Sequence, residues 1–259
     1  MSEPVYELAE LTWQEAEDVL RRRPIGLLPV GAIEAHGPHL PLETDVIIAR
    51  EMAKRGARLL AGHNLPVLIL PVMSFGVSFV GTCFGGTSPV DVYAFEANLT
   101  SLLTHAATQE YRALCVCNAH LEPAHVAAIQ RAARTASSDT GIPIVAPDKR
   151  EPRWAERLSE EFRRGARHAG GYETSLMLAV SPSAVRWDEA RKLPPVWVDL
   201  PAQLSAGAKT FAEAGGELGY FGEPATASAN EGERLFDALG TIIRDAVLEA
   251  LEVDCSPTH

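Results

Sequence analysis

Residues 25–45, IGLLPVGAIEAHGPHLPLETD, decide the fold. Residues 25–30 are a short, uncharged apolar run, which is typical of a strand buried on both faces of a parallel sheet. Residues 31–44 are rich in Gly, Pro and His and predict a loop. From Asp45 to Leu60 the apolar residues recur with helical spacing. Strand, loop and helix in this order are the repeating unit of an α/β domain.

The same alternation continues along the chain. Buried strands are also predicted at residues 65–72, 113–117 and 142–145, and helices at residues 12–23, 89–112, 122–138, 151–164, 174–180 and 231–251. Thr12 and Glu15 have the spacing of a capping box. Residues 193–226 are loop-rich and predict an excursion near the site or an oligomer contact. Because no repeat or linker divides the sequence, we expect one domain, residues 1–259, with an α/β fold and a mostly parallel sheet.

The composition excludes several classes of protein. Of 259 residues, 46% are hydrophobic and 22% charged, which is ordinary globular usage and not that of a disordered or fibrous chain. The formal net charge of −11 disfavours nucleic acid and anionic membrane surfaces as partners. Residues 65–84 are nearly uncharged, but their prolines and glycines favour a buried strand and loop over a transmembrane helix.

The cellular compartment is predicted from the cysteines and the first residues. Residues 1–11 are acidic and lack an apolar core, so we expect no signal peptide there. The chain is much larger than a disulfide-stapled miniprotein. We therefore expect reduced thiols in a cytoplasmic protein, and the four cysteines are Cys83, Cys115, Cys117 and Cys255.

Potential metal ligands follow two of the predicted strands. Glu34, His36 and Asp45 come after the first, and His120 and Glu122 follow the strand at residues 113–117. Ligands of open parallel sheets bind beyond the carboxyl ends of the strands, so these side chains are expected to meet. Imidazole and carboxylate together suit zinc, manganese or iron. Five donors exceed what one tetrahedral zinc needs, which favours a two-metal site with Asp45 as the bridge.

Each of these residues also has a simpler interpretation. Glu34 and His36 alone would be solvated loop residues, and Asp45 alone would cap a helix or lie in its first turn beside the helix dipole. His120 and Glu122 alone would cap the following helix. Only the combination at two strand ends favours a metal site. Such a site would carry out hydrolysis at neutral pH without a protein nucleophile.

Further residues have two open interpretations each. Ser78 is either a hydrogen-bond donor to a substrate carbonyl or amide, or a turn residue. His168 is either a proton shuttle to the leaving nitrogen or a loop histidine with structural bonds. Tyr172 either lines the pocket or packs in the core. His39 is predicted to brace its loop rather than to bind a metal.

These motifs resemble those of the creatininase (creatinine amidohydrolase) family. Residues 28–45 resemble its signature segment, and the resemblance extends in order over nearly the whole chain. The further matching stretches are FGVS at 75–78, GT at 86–87, HAG at 168–170, ETS at 173–175, GEPAT at 222–226 and EG at 231–232.

The resemblance implies a three-layer αβα fold, a dinuclear divalent site holding Zn²⁺, Mn²⁺ or both, with Fe²⁺ also possible, and hydrolysis of an amide or cyclic amide. It implies a homo-oligomer, commonly a hexamer. The implied metal ligands are Glu34, His36, Asp45, His120 and Glu122. Glu173 would be a further ligand or an acid/base group. Glu122, Glu173 and His168 are the candidates for moving a proton during catalysis.

The chain departs from creatininases proper around the predicted pocket. Leu121 replaces an aromatic residue, Pro123 replaces an asparagine, and residues 78–81 lack a histidine common among relatives. These changes favour a substrate other than creatinine, bound beside Ser78, Leu121 and Tyr172. Two alternatives within the family are a formamide deformylase and a peptide-maturation peptidase. A third is a non-catalytic oligomeric binding or scaffold protein, against which the intact ligand set argues.

Overall fold

The central sheet has five parallel strands. The computed structural model describes residues 4–252. The strands are β1 (Val5–Glu7), β2 (Ile25–Val30), β3 (Val67–Ile69), β4 (Ala113–Asn118) and β5 (Ile144–Val145), in the spatial order β1-β3-β2-β4-β5. β2 lies in the middle and pairs with β4 from Ile25 opposite Ala113 to Val30 opposite Asn118. The carboxyl ends of β2 and β4 are therefore neighbours.

Ten helices in the described part of the chain surround the sheet. Alternate residues of β2 face opposite sides, so Ile25 and Leu27 enter one apolar cluster while Leu28 and Val30 enter the other. Helices α2 (Thr44–Gly62), α7 (Gly171–Val180) and α10 (Ala229–Ala250) pack on the first side. Helices α1 (Trp13–Leu20), α3 (Val92–Ala107) and α4 (Pro123–Thr140) pack on the second. This confirms the α/β fold with three layers. The four shorter helices are α5 (Pro152–Ala155), α6 (Glu160–Arg163), α8 (Trp187–Ala190) and α9 (Leu200–Ser205).

The structure corrects several predicted elements. The single helix predicted at residues 151–164 is wrong, because the chain turns and Ser159 caps a second short helix by accepting a hydrogen bond from the Phe162 N–H at 3.2 Å. The edge strand β1 was not predicted, since its three residues are partly exposed and form no apolar run. The helix predicted from residue 89 begins only after Asp91, whose carboxylate caps α3. The Thr12–Glu15 capping box is confirmed.

The free cysteine thiols and the fold of residues 65–84 agree with the predictions made from the sequence. Cys83, Cys115 and Cys117 are free thiols, and Cys255 lies outside the described residues. Within residues 4–252, none of the helices has the length and apolar character needed to cross a membrane. The stretch at residues 65–84 forms β3 and the loop after it, as predicted.

A buried carboxylate that sequence analysis missed fixes the start of α7. Glu161 accepts hydrogen bonds from the backbone N–H groups of Gly171 (3.0 Å), Tyr172 (2.8 Å) and Glu223 (2.8 Å). Gly222 makes room for it, because a Cβ there would lie 2.3 Å from a Glu161 oxygen, and its φ of +95° also favours glycine. Glu161 thus connects α6, α7 and the loop at residue 223.

Replacing Glu161 with alanine is expected to lower the free energy of unfolding by about 3 kcal/mol or more, since three backbone N–H groups, two buried and one partly buried, lose their acceptor. Urea denaturation of the variant would measure the loss. Glu160→Ala is the matched control, because Glu160 is the exposed neighbour in the same helix and its removal affects only the helix dipole. Equal stability of the two variants would contradict the prediction.

Candidate active site

Four of the five predicted metal ligands meet at the carboxyl ends of β2 and β4. Glu34 and His36 lie in the loop after β2, Asp45 in the first turn of α2, and His120 just after β4. Glu173, in the first turn of α7, joins them from the same face of the sheet. All five side chains are buried. The apolar strands and helices therefore bring three carboxylates and two imidazoles together away from solvent.

The donor atoms form three overlapping groups, in each of which they lie within 4.8 Å of one another. Glu34, His36 and Asp45 each belong to two of these groups, and Asp45 is the one that joins the group of His120 to the group of Glu173. The groups are Glu34 with Asp45 and His120, His36 with Asp45 and Glu173, and Glu34 with His36 and His168.

The clearest indication of a cation comes from His120. Its Nε2 lies 2.8 Å from the Val77 carbonyl oxygen, which can only accept, so Nε2 carries the proton. Nδ1 faces Glu34 Oε1 (3.0 Å) and Asp45 Oδ2 (3.1 Å), and these carboxylates raise the pKa of His120 although burial opposes its charge. Without a metal, Nδ1 therefore holds a proton between the two carboxylates, and a divalent ion would take the place of that proton. A metal-ligating histidine characteristically bonds a carbonyl through its other nitrogen.

Two more histidines repeat this arrangement. His36 Nδ1 lies 3.1 Å from the Glu34 carbonyl oxygen, and its Nε2 lies 3.6 Å from both Asp45 Oδ1 and Glu173 Oε2. His168 Nε2 lies 2.8 Å from the Ala35 carbonyl oxygen, and its Nδ1 lies 3.6 Å from Glu34 Oε1. In each ring one nitrogen is held by a backbone carbonyl while the other faces carboxylate oxygens.

The electrostatics of the cluster also favour a cation. Burial opposes a charge on His36, yet the carboxylates of Asp45, Glu173 and Glu34 raise its pKa to about 10. Burial raises the pKa of Glu173 to about 7. Glu34 Oε2, His36 Nε2 and Asp45 Oδ2 are buried without a hydrogen-bond partner among the described residues. The donor set therefore fits divalent ions that accept both imidazole and carboxylate, such as Zn²⁺, Mn²⁺ and Fe²⁺.

Glu122 occupies a different position from the other carboxylates. Its Oε2 accepts a hydrogen bond from the Val80 N–H at 3.0 Å, and none of the three donor groups includes it. It lines the cavity in front of the cluster, and burial raises the pKa of its carboxyl group. Its side chain thus lies where a substrate would enter. Glu173, by contrast, accepts a hydrogen bond from the Ala169 N–H at 2.7 Å and faces His36.

The three residues predicted to bind substrate differ in placement. Leu121 lines the cavity. Ser78 is fully buried, does not line this cavity, and its hydroxyl lacks a hydrogen-bond partner among residues 4–252. Tyr172 packs in the core with its ring 4.9 Å from that of Phe162 and also lies outside the cavity lining. This position corresponds to the packing interpretation of Tyr172.

A polar network behind the cluster orients His120. Asn118 Oδ1 accepts a hydrogen bond from the His120 N–H and lies 3.1 Å from His125 Nε2. The other ring nitrogen of His125 accepts a hydrogen bond from the Val77 N–H at 3.2 Å. The carbonyl oxygen of the same residue, Val77, is the partner of His120 Nε2. Hydrogen bonds therefore link His120, Asn118, His125 and Val77 in a closed ring. His39 plays a similar part elsewhere, because its Nε2 lies 2.9 Å from Thr174 Oγ1 and ties the loop after β2 to α7.

Asn118→Ala is expected to weaken metal binding about 10–100-fold, because the His120 backbone loses the side chain that holds it and His125 loses its partner at Nε2. Metal affinity measured by competition with a chelator would test this. Asn98→Ala, at an exposed position of α3, is the control and should bind metal as the wild type does. Unchanged affinity in Asn118→Ala would show that the network does not orient the ligand.

The cavity contains residues that sequence analysis missed. It has a volume of about 240 Å³ and reaches Glu34, Asp45, His120 and Glu173. The chain between α8 and α10, expected as an excursion near the site, forms one wall through α9 and Phe211. Arg150 and Arg167 line it as well. Of these cavity residues, only Arg167 could have been found from the sequence, because it directly precedes the HAG motif at residues 168–170.

The family of the chain follows from comparison with known proteins. The sequence model of the creatininase family, described as creatinine amidohydrolase, matches residues 9–247. The chain belongs to the creatininase family. The α/β fold and the hydrolase class are therefore those of this family.

Three relatives span most of this creatininase-family chain. A mycofactocin precursor peptide peptidase of Mycobacterium tuberculosis (strain H37Rv) is 31% identical over 221 residues, covering 82% of the chain and 80% of the relative. A creatinine amidohydrolase of Pseudomonas putida is 29% identical over 267 residues, covering 96% and 98%. A solved structure titled creatininase Mn superimposes with a TM-score of 0.69 at 26% identity, covering 95% and 98%.

Proposed function

We propose that this protein is a metal-dependent hydrolase of a small or cyclic amide. The observation that carries the proposal is the Nδ1 atom of His120, which faces two carboxylate oxygens at 3.0 and 3.1 Å while Nε2 is held by a carbonyl. Glu34, Asp45 and His120 would hold one divalent ion, and His36, Asp45 and Glu173 a second. Zn²⁺ and Mn²⁺ are the proposed metals, and Fe²⁺ is compatible with the same ligands. The similar solved structure named creatininase Mn supports Mn²⁺.

Bound there, two divalent ions would polarise a substrate carbonyl and lower the pKa of a water molecule. Asp45 would hold both ions, since its two oxygens face different histidines. Glu122 is proposed to take a proton from the attacking water and to pass it to the leaving nitrogen. A carbon–oxygen bond forms and the carbon–nitrogen bond breaks, giving a carboxylate and an amine.

Glu122 is favoured as the proton carrier because it lines the cavity while remaining outside the donor groups. Burial and the charge of His36 lower the pKa of His168 to about 4, so this imidazole is neutral, and its Nδ1 faces Glu34. His168 and Glu173 are therefore assigned to the cluster itself. We place Leu121 against the substrate, and Ser78 and Tyr172 behind it.

A peptide substrate is the second candidate. The mycofactocin precursor peptide peptidases are similar to this chain over about four fifths of its length, at 31% identity. The cavity lining at Leu121, Pro123 and Val80 is apolar, which suits an aliphatic group better than creatinine. No comparable observation favours a formamide.

The proposal is tested by metal content and turnover measured on the same preparation. After reconstitution with zinc or manganese and dialysis, elemental mass spectrometry is expected to find about two ions per chain. The loaded enzyme should release amine from one or more members of a panel of cyclic amides, formamides and short peptides, and a chelator should stop the release. Absence of retained metal would refute the proposal and favour a binding or scaffold protein.

The assembly and compartment of the chain are further proposals. A homo-oligomer, up to a hexamer, is proposed from the family resemblance, and light scattering coupled to size-exclusion chromatography would measure its mass. A cytoplasmic location is proposed from the three free thiols, which fit a reducing compartment.

A further inference from the structure

The cavity in front of the metal ligands has three chemically distinct parts. The carboxylates and imidazoles form its floor, and one wall is apolar. Two arginines provide positive charge. The apolar lining consists of Val80, Leu121, Pro123, Leu200, Pro201, Leu204 and Phe211. Such a cavity selects a ligand that is partly aliphatic and partly charged.

Arg167 is held in place but not neutralised. Its Nε donates a hydrogen bond to the Phe162 carbonyl oxygen at 2.9 Å, and its guanidinium carbon lies 4.9 Å from the centre of the Phe162 ring. These contacts fix the plane of the guanidinium. Among the described residues its terminal nitrogens have no hydrogen-bond partner, and no carboxylate lies within ion-pair distance.

The nearby charges compensate the positive charge of Arg167 only in part. Arg150 is already paired, since its Nε and Nη2 bond both oxygens of Asp148 at 2.8 to 3.1 Å. Asp199 is exposed and caps α9 through the Ala202 N–H. Burial and the charge of Arg150 lower the pKa of Arg167 against the opposing effect of Asp199 and Asp148, so its surroundings supply too little negative charge. An anion in the cavity would supply it.

We propose that Arg167 binds a carboxylate of the substrate, which is therefore an amide carrying a free carboxylate and an aliphatic group. This inference rests on the proposed amide hydrolysis. N-acyl amino acids and the carboxyl termini of peptides share this chemistry. One guanidinium with its plane fixed matches a carboxylate in a two-bond fork, and the aliphatic group contacts the apolar wall. Creatinine has no carboxylate and would leave Arg167 unpaired.

Binding can be measured without turnover by using ligands that contain no amide bond. N-methanesulfonyl-leucine carries the carboxylate, and N-methanesulfonyl-leucinol replaces it with an alcohol. Isothermal titration of the metal-loaded enzyme should find the carboxylate bound about tenfold or more tightly than the alcohol. Arg167→Met should remove this preference, after elemental analysis has shown unchanged metal content.

Two variants accompany Arg167→Met. Arg163→Met removes an exposed arginine of α6 outside the cavity and should keep the wild-type preference. Arg167→Lys keeps the charge without the fork, so an intermediate preference is expected. It also provides the test if the methionine variant does not fold. A wild-type enzyme that binds both ligands equally, or neither, overturns the inference, as does an Arg167→Met variant that keeps the preference.

The source of the carboxylate is decided by competition. Displacement of N-methanesulfonyl-leucine by a longer peptide ending in leucine, but not by its carboxyl-terminal amide, would assign a peptide terminus. Failure of the peptide to compete would assign a free N-acyl amino acid. If the loaded enzyme binds the carboxylate but hydrolyses no amide, the proposed function fails while the role of Arg167 in binding stands.

Discussion

Asp45→Asn is expected to abolish hydrolysis and to reduce metal affinity by well over 100-fold. The carboxylate faces His120 through Oδ2 at 3.1 Å and His36 through Oδ1 at 3.6 Å, so it is shared by both proposed ion positions. An amide at this position offers one neutral oxygen to one position and an NH₂ group to the other. Changing a residue that merely orients a ligand already costs about 10–100-fold, and Asp45 is a proposed ligand twice.

Elemental mass spectrometry and amine release would measure both effects on one preparation. Asp139→Asn is the matched control, because Asp139 is exposed near the end of α4 and belongs to none of the three donor groups. The control should retain about two ions per chain and full turnover. An Asp45→Asn enzyme that keeps two ions would show that another residue holds them together.

Much of the architecture was predictable because each layer leaves a pattern in the sequence. The apolar run at residues 25–30 requires cover on both faces, and the structure places Leu27 in one apolar cluster and Leu28 in the other. The edge strand β1 carries no such pattern, since burial does not constrain it. The turn at Ser159 was missed because one side-chain cap ends a periodicity that otherwise continues.

The meeting of ligand-type residues could be predicted for a topological reason. β2 and β4 are parallel neighbours, so the residues that follow them lie together whatever the loops do. Which carboxylate faces which imidazole depends on the loops. Sequence reasoning therefore gave Glu122 and Glu173 overlapping roles, whereas the geometry groups Glu173 with His36 and leaves Glu122 in the cavity.

The cavity wall could not be predicted because its parts are distant in sequence. Arg167 precedes α7, while Leu204 and Phe211 come from the excursion after α8. Each residue alone is ordinary, and only packing places the guanidinium and the apolar side chains around one cavity. These loops therefore determine which substrate is selected, whereas the strand ends determine where the metal ligands lie.

Glu122→Gln is expected to leave about two ions per chain and to lower kcat by about 100- to 10,000-fold, the usual contribution of general acid–base catalysis. Glutamine keeps an oxygen that accepts the Val80 N–H, so the loop at residue 80 should hold its position. What is lost is the ability to take and return a proton. Because Glu122 lies outside the three donor groups, metal content separates this role from that of a ligand.

Glu110→Gln, a change of the same chemistry at an exposed position, should behave like the wild type in both assays. If Glu122→Gln loses an ion along with its activity, Glu122 is a metal ligand and the proton must be moved by another group. In that case His168→Asn becomes the variant to compare, since His168 is the remaining imidazole facing the cavity floor. Full activity with full metal content would exclude Glu122 both as a metal ligand and as the proton carrier. Proton transfer would then fall to the water and to His168.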